Sequence, residues 1–263
     1  VLQKVKVNNM GKIIAIGGGE MGRPHKDREF YPLETVSIDK EIVALASKKN
    51  PRLLFIPTAS NDSESYFELI KKYFSKLGCK VDVLYLIREK LSKKEIEHKI
   101  LSSNIIYVGG GDTLKMMTLW RKKGVDKVLK KAYKKGIVLS GLSAGSICWF
   151  SFGNSDSKLI TNNSSQLIKV TGLGLVDALH CPHFNGEGGR KKDLPRMMKS
   201  TSKLVALALD NSCAIEIVDK KYRILHSKPN AKAYKTYWKK GKYIQEEIIS
   251  RKEFRDLKEL LKK

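Results

Sequence analysis

The feature that most constrains this chain is an alternation. Short apolar runs rich in β-branched residues are separated by longer segments of helical period, the pattern of a mostly parallel sheet flanked by helices. Strands are predicted at Lys12–Ile16, Arg52–Ile56, Lys80–Leu86, Asn104–Val108 and Gly136–Ser140, with helices at about 38–49, 62–77, 92–102 and 113–135. Parallel strands of such a sheet finish at one edge, where the connecting loops gather. At that edge the runs enter Gly17-Gly18-Gly19, Gly109-Gly110-Gly111 and the turn from Gly141 to Gly145. Three glycine-bearing turns on one edge predict a single site.

After Ser151 the chain reads as loop, and strands resume at about 203–209, 213–218 and 222–226. Their close spacing predicts an antiparallel extension over about 203–250, followed by an amphipathic surface helix over about 250–262. No linker or repeat divides the sequence, so residues 1–263 are read as a single α/β hydrolytic domain carrying that extension. With 41% hydrophobic residues, a chain of this length can bury a sizeable core.

The formal charge of +24 raises the question of nucleic acid. The lysines, however, are spread over the polar sides of most predicted helices, among them Lys71, Lys72, Lys130 and Lys131. A solvated surface is expected, with no nucleic-acid partner. The first twenty residues carry Lys4, Lys6 and Lys12 without a signal-like apolar run, and no stretch reaches about 18 apolar residues. A soluble cytoplasmic protein with no membrane partner is the expectation. Cys79, Cys148, Cys181 and Cys213 are scattered without metal-ligand spacing, so free thiols and no metal are expected.

The strongest chemical signal is Gly141-Leu142-Ser143-Ala144-Gly145, which follows the apolar run Ile137-Val138-Leu139 and precedes a helix-like segment. A strand turning sharply into a helix around a serine strains the backbone there, and small flanking residues let the turn close. The hydroxyl then projects from the sheet edge as a candidate nucleophile. The plainer reading of the same residues is a strand-to-helix turn with Ser143 as N-cap. Attack on a carbonyl also needs preset donors for the developing oxyanion. The amide of Ala144 is one candidate, and the glycine loop running through Gly110, Gly111 and Asp112 supplies others.

Of the five histidines, His180 and His183 flank Cys181-Pro182 and lead into the glycine-rich segment Phe184 to Arg190. A proline-stiffened loop of this kind is suited to presenting a base. His25, His98 and His226 have no comparable context.

Taken together, Tyr107-Val108-Gly109-Gly110-Gly111-Asp112-Thr113, the Ser143 turn, and Pro182-His183-Phe184 followed by Arg190 resemble peptidase E (aspartyl dipeptidase) and its relatives the cyanophycinases. The resemblance runs from about residue 12 to 220. It implies a three-layer α/β sandwich of the class I glutamine-amidotransferase-like (flavodoxin-like) kind, with Ser143 as nucleophile and His183 as base. It further implies an oxyanion hole from Gly110 to Asp112 with Ala144, and a short peptide as substrate without a cofactor. In peptidase E an arginine after the histidine binds an N-terminal aspartate side chain, and the resemblance puts Arg190 there. The acid of the triad is expected at Asp210, with Asp156 as the alternative. Asn211 stands where relatives carry glutamate, so a dyad, or a His183 held by Asn211, is the remaining reading.

Amidotransfer is a competing reaction on such a fold, but its elbow resembles G-x-C-x-G and here the position holds serine. A regulatory ligand-binding protein without turnover, or a hydrolase of another amide, are the other readings. A homodimer is the assembly considered.

Overall fold

The computed structural model describes residues 11–27, 29–164, 166–186, 189–201 and 203–263. Lys4 and Lys6, and Glu187 and Gly188 of the histidine loop, lie outside them. The five predicted strands are present as β1 (Lys12–Ile16), β2 (Arg52–Ile56), β3 (Lys80–Val83), β4 (Ile105–Val108) and β5 (Val138–Leu142). They pair in parallel in the order β1-β5-β4-β2-β3.

Both faces of this sheet are covered, which is why its strands read as continuous apolar runs. Ile14, Ile16, Leu53, Phe55, Ile105 and Tyr107 point to one face and pack beneath α1 (Val36–Leu45) and α2 (Glu64–Lys76). Ile13, Ala15, Leu54, Ile56, Ile106 and Val108 alternate to the other face, toward α3 (Lys93–Leu101), α4 (Thr113–Lys123) and α5 (Val125–Lys134). The single helix expected over 113–135 is divided because Gly124 adopts a left-handed conformation (φ 76°). That conformation ends α4 and starts α5.

The segment read as loop after Ser151 is instead the beginning of a second sheet. Beyond α6 (Ala144–Ile147) come β6 (Phe150–Ser155), α7 (Ser157–Asn162), β7 (Ile168–Thr171), β8 (Val176–Cys181), α8 (Arg190–Lys199) and β9 (Ala206–Leu209). The chain continues through β10 (Cys213–Val218), β11 (Lys221–His226), β12 (Ala233–Lys239), β13 (Lys242–Glu247), β14 (Arg255–Asp256) and α9 (Leu257–Leu261). The six-stranded second sheet runs β13-β12-β9-β8-β6-β7.

The strands of the expected antiparallel extension are therefore shared between two sheets. β10 and β11 add antiparallel to β1 and, with β14, complete an eight-stranded mixed sheet; β12 and β13 join the second one. The β9–β8 pairing is parallel. Alternation again sets the faces: Leu207 and Leu209 enter the core between the sheets, whereas Ala206 and Ala208 pack against α8 through Leu194, Met197 and Met198. The molecule is thus an α/β sandwich of mixed topology, with a second sheet where three layers were expected. The surface helix expected over about 250–262 is confined to α9, because Arg255 and Asp256 pair with β11. Among the described residues no helix is long and apolar enough to cross a membrane.

One buried charge in this core is testable. Asp39 on α1 is fully enclosed; it accepts hydrogen bonds from Thr35 (2.7 Å) and Tyr73 (2.9 Å), while its Oδ1 lacks a partner among the described residues. Burial pushes its carboxyl up to about 7. The folded state therefore binds a proton that the unfolded chain has released, and stability from this group falls as pH rises from about 4 to about 7. Asp39→Asn keeps an acceptor for both hydroxyls and should remove that slope. Relative to wild type it should gain on the order of 3 kcal/mol at pH 8 and nothing below pH 4, measured by urea unfolding across pH.

Candidate active site

Ser143 stands between β5 and α6 with φ 55° and ψ −115°, outside the regions that side chains normally occupy. Close backbone approach dictates the glycines around it. A Cβ at Gly145 would collide with the Val108 carbonyl, and one at Gly141 would crowd the same oxygen. The turn can close against β4 only without those side chains, the geometry of a nucleophile elbow. The Ser143 amide donates to the Ile16 carbonyl (3.3 Å), and its hydroxyl has no hydrogen-bond partner among the described residues.

His183 follows β8 and also has a positive φ, 51°. Its amide donates to the carbonyl of Gly17 (2.9 Å), next in sequence to the one that holds Ser143. The ring Nδ1 lies 2.6 Å from Asn211 Oδ1. Since the amide oxygen can only accept, Nδ1 carries the proton and Nε2 is left with a lone pair. Burial first, then the positive charge of Arg190, lower the pKa of His183; the Asn211 bond, Asp156 and Glu20 oppose this. The imidazole is therefore held neutral, the form a base requires.

Neither expected acid touches that ring. Asp210 turns to the start of β12, where its Oδ2 accepts from the Lys232 amide (3.0 Å) and its own amide donates to the Lys232 carbonyl (3.0 Å). Asp156 pairs with Arg190 at 2.9 Å. The residue holding His183 is Asn211, whose amide is in turn fixed by Asn185 Oδ1 (2.8 Å). Arg190 is buried rather than presented: its Nη1 reaches the Asn154 carbonyl (2.5 Å) and Oδ1 (2.9 Å) while its Nη2 meets Asp156.

The expected oxyanion donors are also sorted by the structure. The Asp112 amide is taken by the Ala59 carbonyl (2.8 Å) and its side chain caps α4 by accepting from Lys115 (3.0 Å). Gly110 lies against the elbow, where a Cβ on it would be 3.5 Å from Ser143 Cβ. The amides of Gly111 and Ala144 have no protein acceptor among the described residues.

Ser143, His183 and Gly110 face one cavity of about 490 Å³, walled by Tyr66 and Leu69 of α2 and by Glu20, Met21, Arg23 and Pro24. This volume suits a ligand of a few residues. The far walls were missed from sequence. Glu20 directly follows the first glycine triplet, a signal that was available, whereas Tyr66 sits in an ordinary amphipathic helix.

A model of peptidase family S51 matches residues 13–225. The chain belongs to peptidase family S51. The chain is similar to the uncharacterized peptidase YgaJ of Bacillus subtilis (strain 168), 31% identical over 227 residues, covering 86% of this chain and 92% of YgaJ. Among solved structures, a peptidase from an acI-B1 Actinobacterium superposes with a TM-score of 0.66 at 19% identity, covering 94% of this chain and 97% of that one. A putative peptidase E protein from Listeria monocytogenes EGD-e gives 0.61 at 22% identity, covering 82% and 98%. At these identities the two structures speak for the fold. The family assignment makes the chain a serine hydrolase acting on peptides.

This S51 peptidase also brings Ser146 and His180 together beneath the elbow. Ser146 Oγ is 2.8 Å from His180 Nε2, but both residues are fully buried. His180 Nδ1 is spent on the Leu207 carbonyl (3.0 Å), its ring stacks on Phe150 (4.5 Å between centroids), and burial lowers its pKa to about 3. Ser146 Oγ is also 2.8 Å from the Ser143 carbonyl. This pair therefore braces the elbow from below, out of reach of a substrate.

Gly18 separates the first glycine loop from the His183–Asn211 pair. A Cβ there would overlap His183 Nδ1, His183 Cε1 and Asn211 Oδ1 at once. Gly18→Ala should therefore displace the ring and lower kcat/KM by on the order of 10²-fold. Steady-state kinetics on a short peptide check this, and unchanged kcat/KM would contradict the packing described.

Proposed function

We propose that the chain hydrolyses short peptides, dipeptides among them, with Ser143 as nucleophile and His183 as its base. The observation that carries this reading is that Ser143 and His183 open onto the same cavity, whereas Ser146 and His180 are enclosed. Ser143 Oγ attacks the scissile carbonyl carbon as its proton passes to His183 Nε2. The carbonyl oxygen, now negative, accepts from the Ala144 amide and from the Gly110–Gly111 loop. His183 then delivers its proton to the leaving amine as the C–N bond breaks, leaving an acyl ester on Ser143. Water adds to that ester with His183 again taking the proton; as the second tetrahedral species collapses, His183 returns that proton to Ser143 Oγ, which releases the acid and restores both residues. Asn211 keeps the imidazole in the required tautomer throughout.

An N-terminal aspartate is the finer substrate reading. Its support is chemical: the Arg190 fork already binds a carboxylate, and Asp156, with 37% of its side chain exposed, is the partner a substrate carboxylate would replace. The class I glutamine-amidotransferase-like plan belongs to the same proposal, supported by the parallel core of β1 to β5 with the elbow after β5.

A diphenyl phosphonate tests the nucleophile, because only an activated serine adds to phosphorus. Stoichiometric labelling of Ser143 is expected, lost in Ser143→Ala, strongly reduced in His183→Ala and retained in Ser146→Ala. Mass spectrometry locates the adduct, and labelling that survives Ser143→Ala removes the assignment.

Substrate choice is read separately. Across dipeptides varied at the first residue, aspartyl peptides should lead in kcat/KM by about tenfold or more, and Arg190→Met should erase that lead. A flat profile, or a lead that persists in the variant, ends the aspartate reading while leaving the nucleophile untouched.

A further inference from the structure

The loop after β1 brings to the cavity a carboxylate that the mechanism above leaves unused. Glu20 lines the same space as Ser143 and His183. Its position is fixed by backbone. The Glu20 amide donates to Glu34 Oε2 (3.0 Å), the Glu34 amide donates to the Glu20 carbonyl (2.8 Å), and bridges at Met21–Leu33 and Pro24–Phe30 fold the segment back on itself. Ser227 and Lys228 hold Glu34 from the other side.

Arg23, which also lines the cavity, grips the Glu20 carboxylate, Nε to Oε2 at 2.7 Å and Nη2 to Oε1 at 2.8 Å, with its guanidinium stacked 4.1 Å over Tyr31. A carboxylate offers about four acceptor sites, and this fork uses two. The remaining lone pairs are available to a donor inside the cavity. Glu20's charge is felt there from two walls: it favours the protonated form of His183 and disfavours ionisation of Tyr66. Among the described residues that line the cavity Glu20 is the only carboxylate, and with it stand the apolar side chains of Met21, Pro24, Leu69 and Leu142.

A peptide that acylates Ser143 through its first residue carries an ammonium group one Cα away from the reacting carbonyl. Away from bulk water that cation needs an anion, and Glu20 is the carboxylate among the described lining residues. We propose that Glu20 is the residue that receives the free α-ammonium group of the substrate. Arg23 then serves to hold the carboxylate in place. The inference rests on Ser143 as nucleophile, and it adds a restriction on which peptides reach it.

The test compares diphenyl 1-aminoethylphosphonate, an alanine analogue with a free amine, with its N-acetyl derivative. The second-order rate of labelling at Ser143 is measured for each. Wild type should label with the free amine about tenfold or more faster, the discrimination expected of a charge-assisted hydrogen bond. That preference should fade as the amine deprotonates above about pH 8. Glu20→Gln, which keeps the shape, should lose the preference by slowing the free-amine compound alone; Glu20→Asp should retain part of it, and Arg23→Met should retain most. Equal rates in wild type, or an undiminished preference in Glu20→Gln, overturn the role of Glu20 while leaving Ser143 labelled. Absence of any label on Ser143 from either compound overturns the nucleophile assignment and this inference with it.

Discussion

Three successive carbonyls at the end of β1 hold the working edge of this molecule together. Ile16 accepts from the Ser143 amide, Gly17 from the His183 amide and Gly18 from the Ser212 amide, at 3.3, 2.9 and 2.8 Å. The first donor belongs to the turn after β5 in the larger sheet; the second follows β8 in the smaller one; the third lies in the turn after β9. Backbone alone thus registers groups from two sheets against a common strip. That convergence is what makes glycine obligatory, since a Cβ at Gly17 would strike the Asp210 carbonyl and one at Gly18 would strike the histidine ring.

Holding two side chains in the left-handed region has a cost, on the order of 1–3 kcal/mol for each of Ser143 and His183. The surrounding bonds explain how it is borne. The Ser143 carbonyl receives the amides of Ser146 and Ile147, both at 3.0 Å, and lies 2.8 Å from the Ser146 hydroxyl. The enclosed His180 in turn lies 2.8 Å from that hydroxyl, so the buried Ser146–His180 pair helps to hold the turn at Ser143. Around His183, the Gly186 amide donates back to its carbonyl (2.9 Å) and Phe184 anchors to the Leu209 carbonyl (3.0 Å). In both places short-range backbone bonds over-determine a conformation that neither residue would choose alone.

The parts legible in the sequence were those written in local period and glycine placement. β1, β2, β4 and β5 fall within a residue or two of expectation because each is a short apolar run closed by a glycine or a turn, and the elbow was legible because Gly141 and Gly145 have no other reason to flank Ser143. The second sheet escaped notice for a physical reason. Its strands β6 and β7 contain Ser151, Asn154, Ser155 and Lys169, residues typical of loops, and they are satisfied by tertiary partners: Asn154 by Arg190, Ser155 by Thr113 and Ser157. The acid was misplaced for a related reason. A carboxylate at 210 looks like a triad member, yet one residue's difference along a tight turn points Asp210 to Lys232 and Asn211 to His183. Side-chain direction in such a turn is a property of its dihedrals, and composition does not encode it.

With Asn211 at the imidazole, orientation and charge stabilisation are divided between different residues. The amide fixes the tautomer but adds no negative charge to offset the imidazolium formed in the proposed mechanism. The charges that favour imidazolium are those of Asp156 and Glu20, which do so without touching the ring, against Arg190 and burial. Each of these carboxylates is itself gripped by an arginine, Asp156 by Arg190 and Glu20 by Arg23. An arginine that shifts its grip toward a substrate carboxylate would leave its former partner less neutralised, and the uncovered charge would favour proton transfer to His183. Conversely, an ammonium group seated on Glu20 would screen that charge and keep the imidazole neutral until attack begins. Under the proposed roles, substrate binding and base strength would be coupled through the same two ion pairs, a coupling that a carboxylate in direct contact with the ring would largely mask.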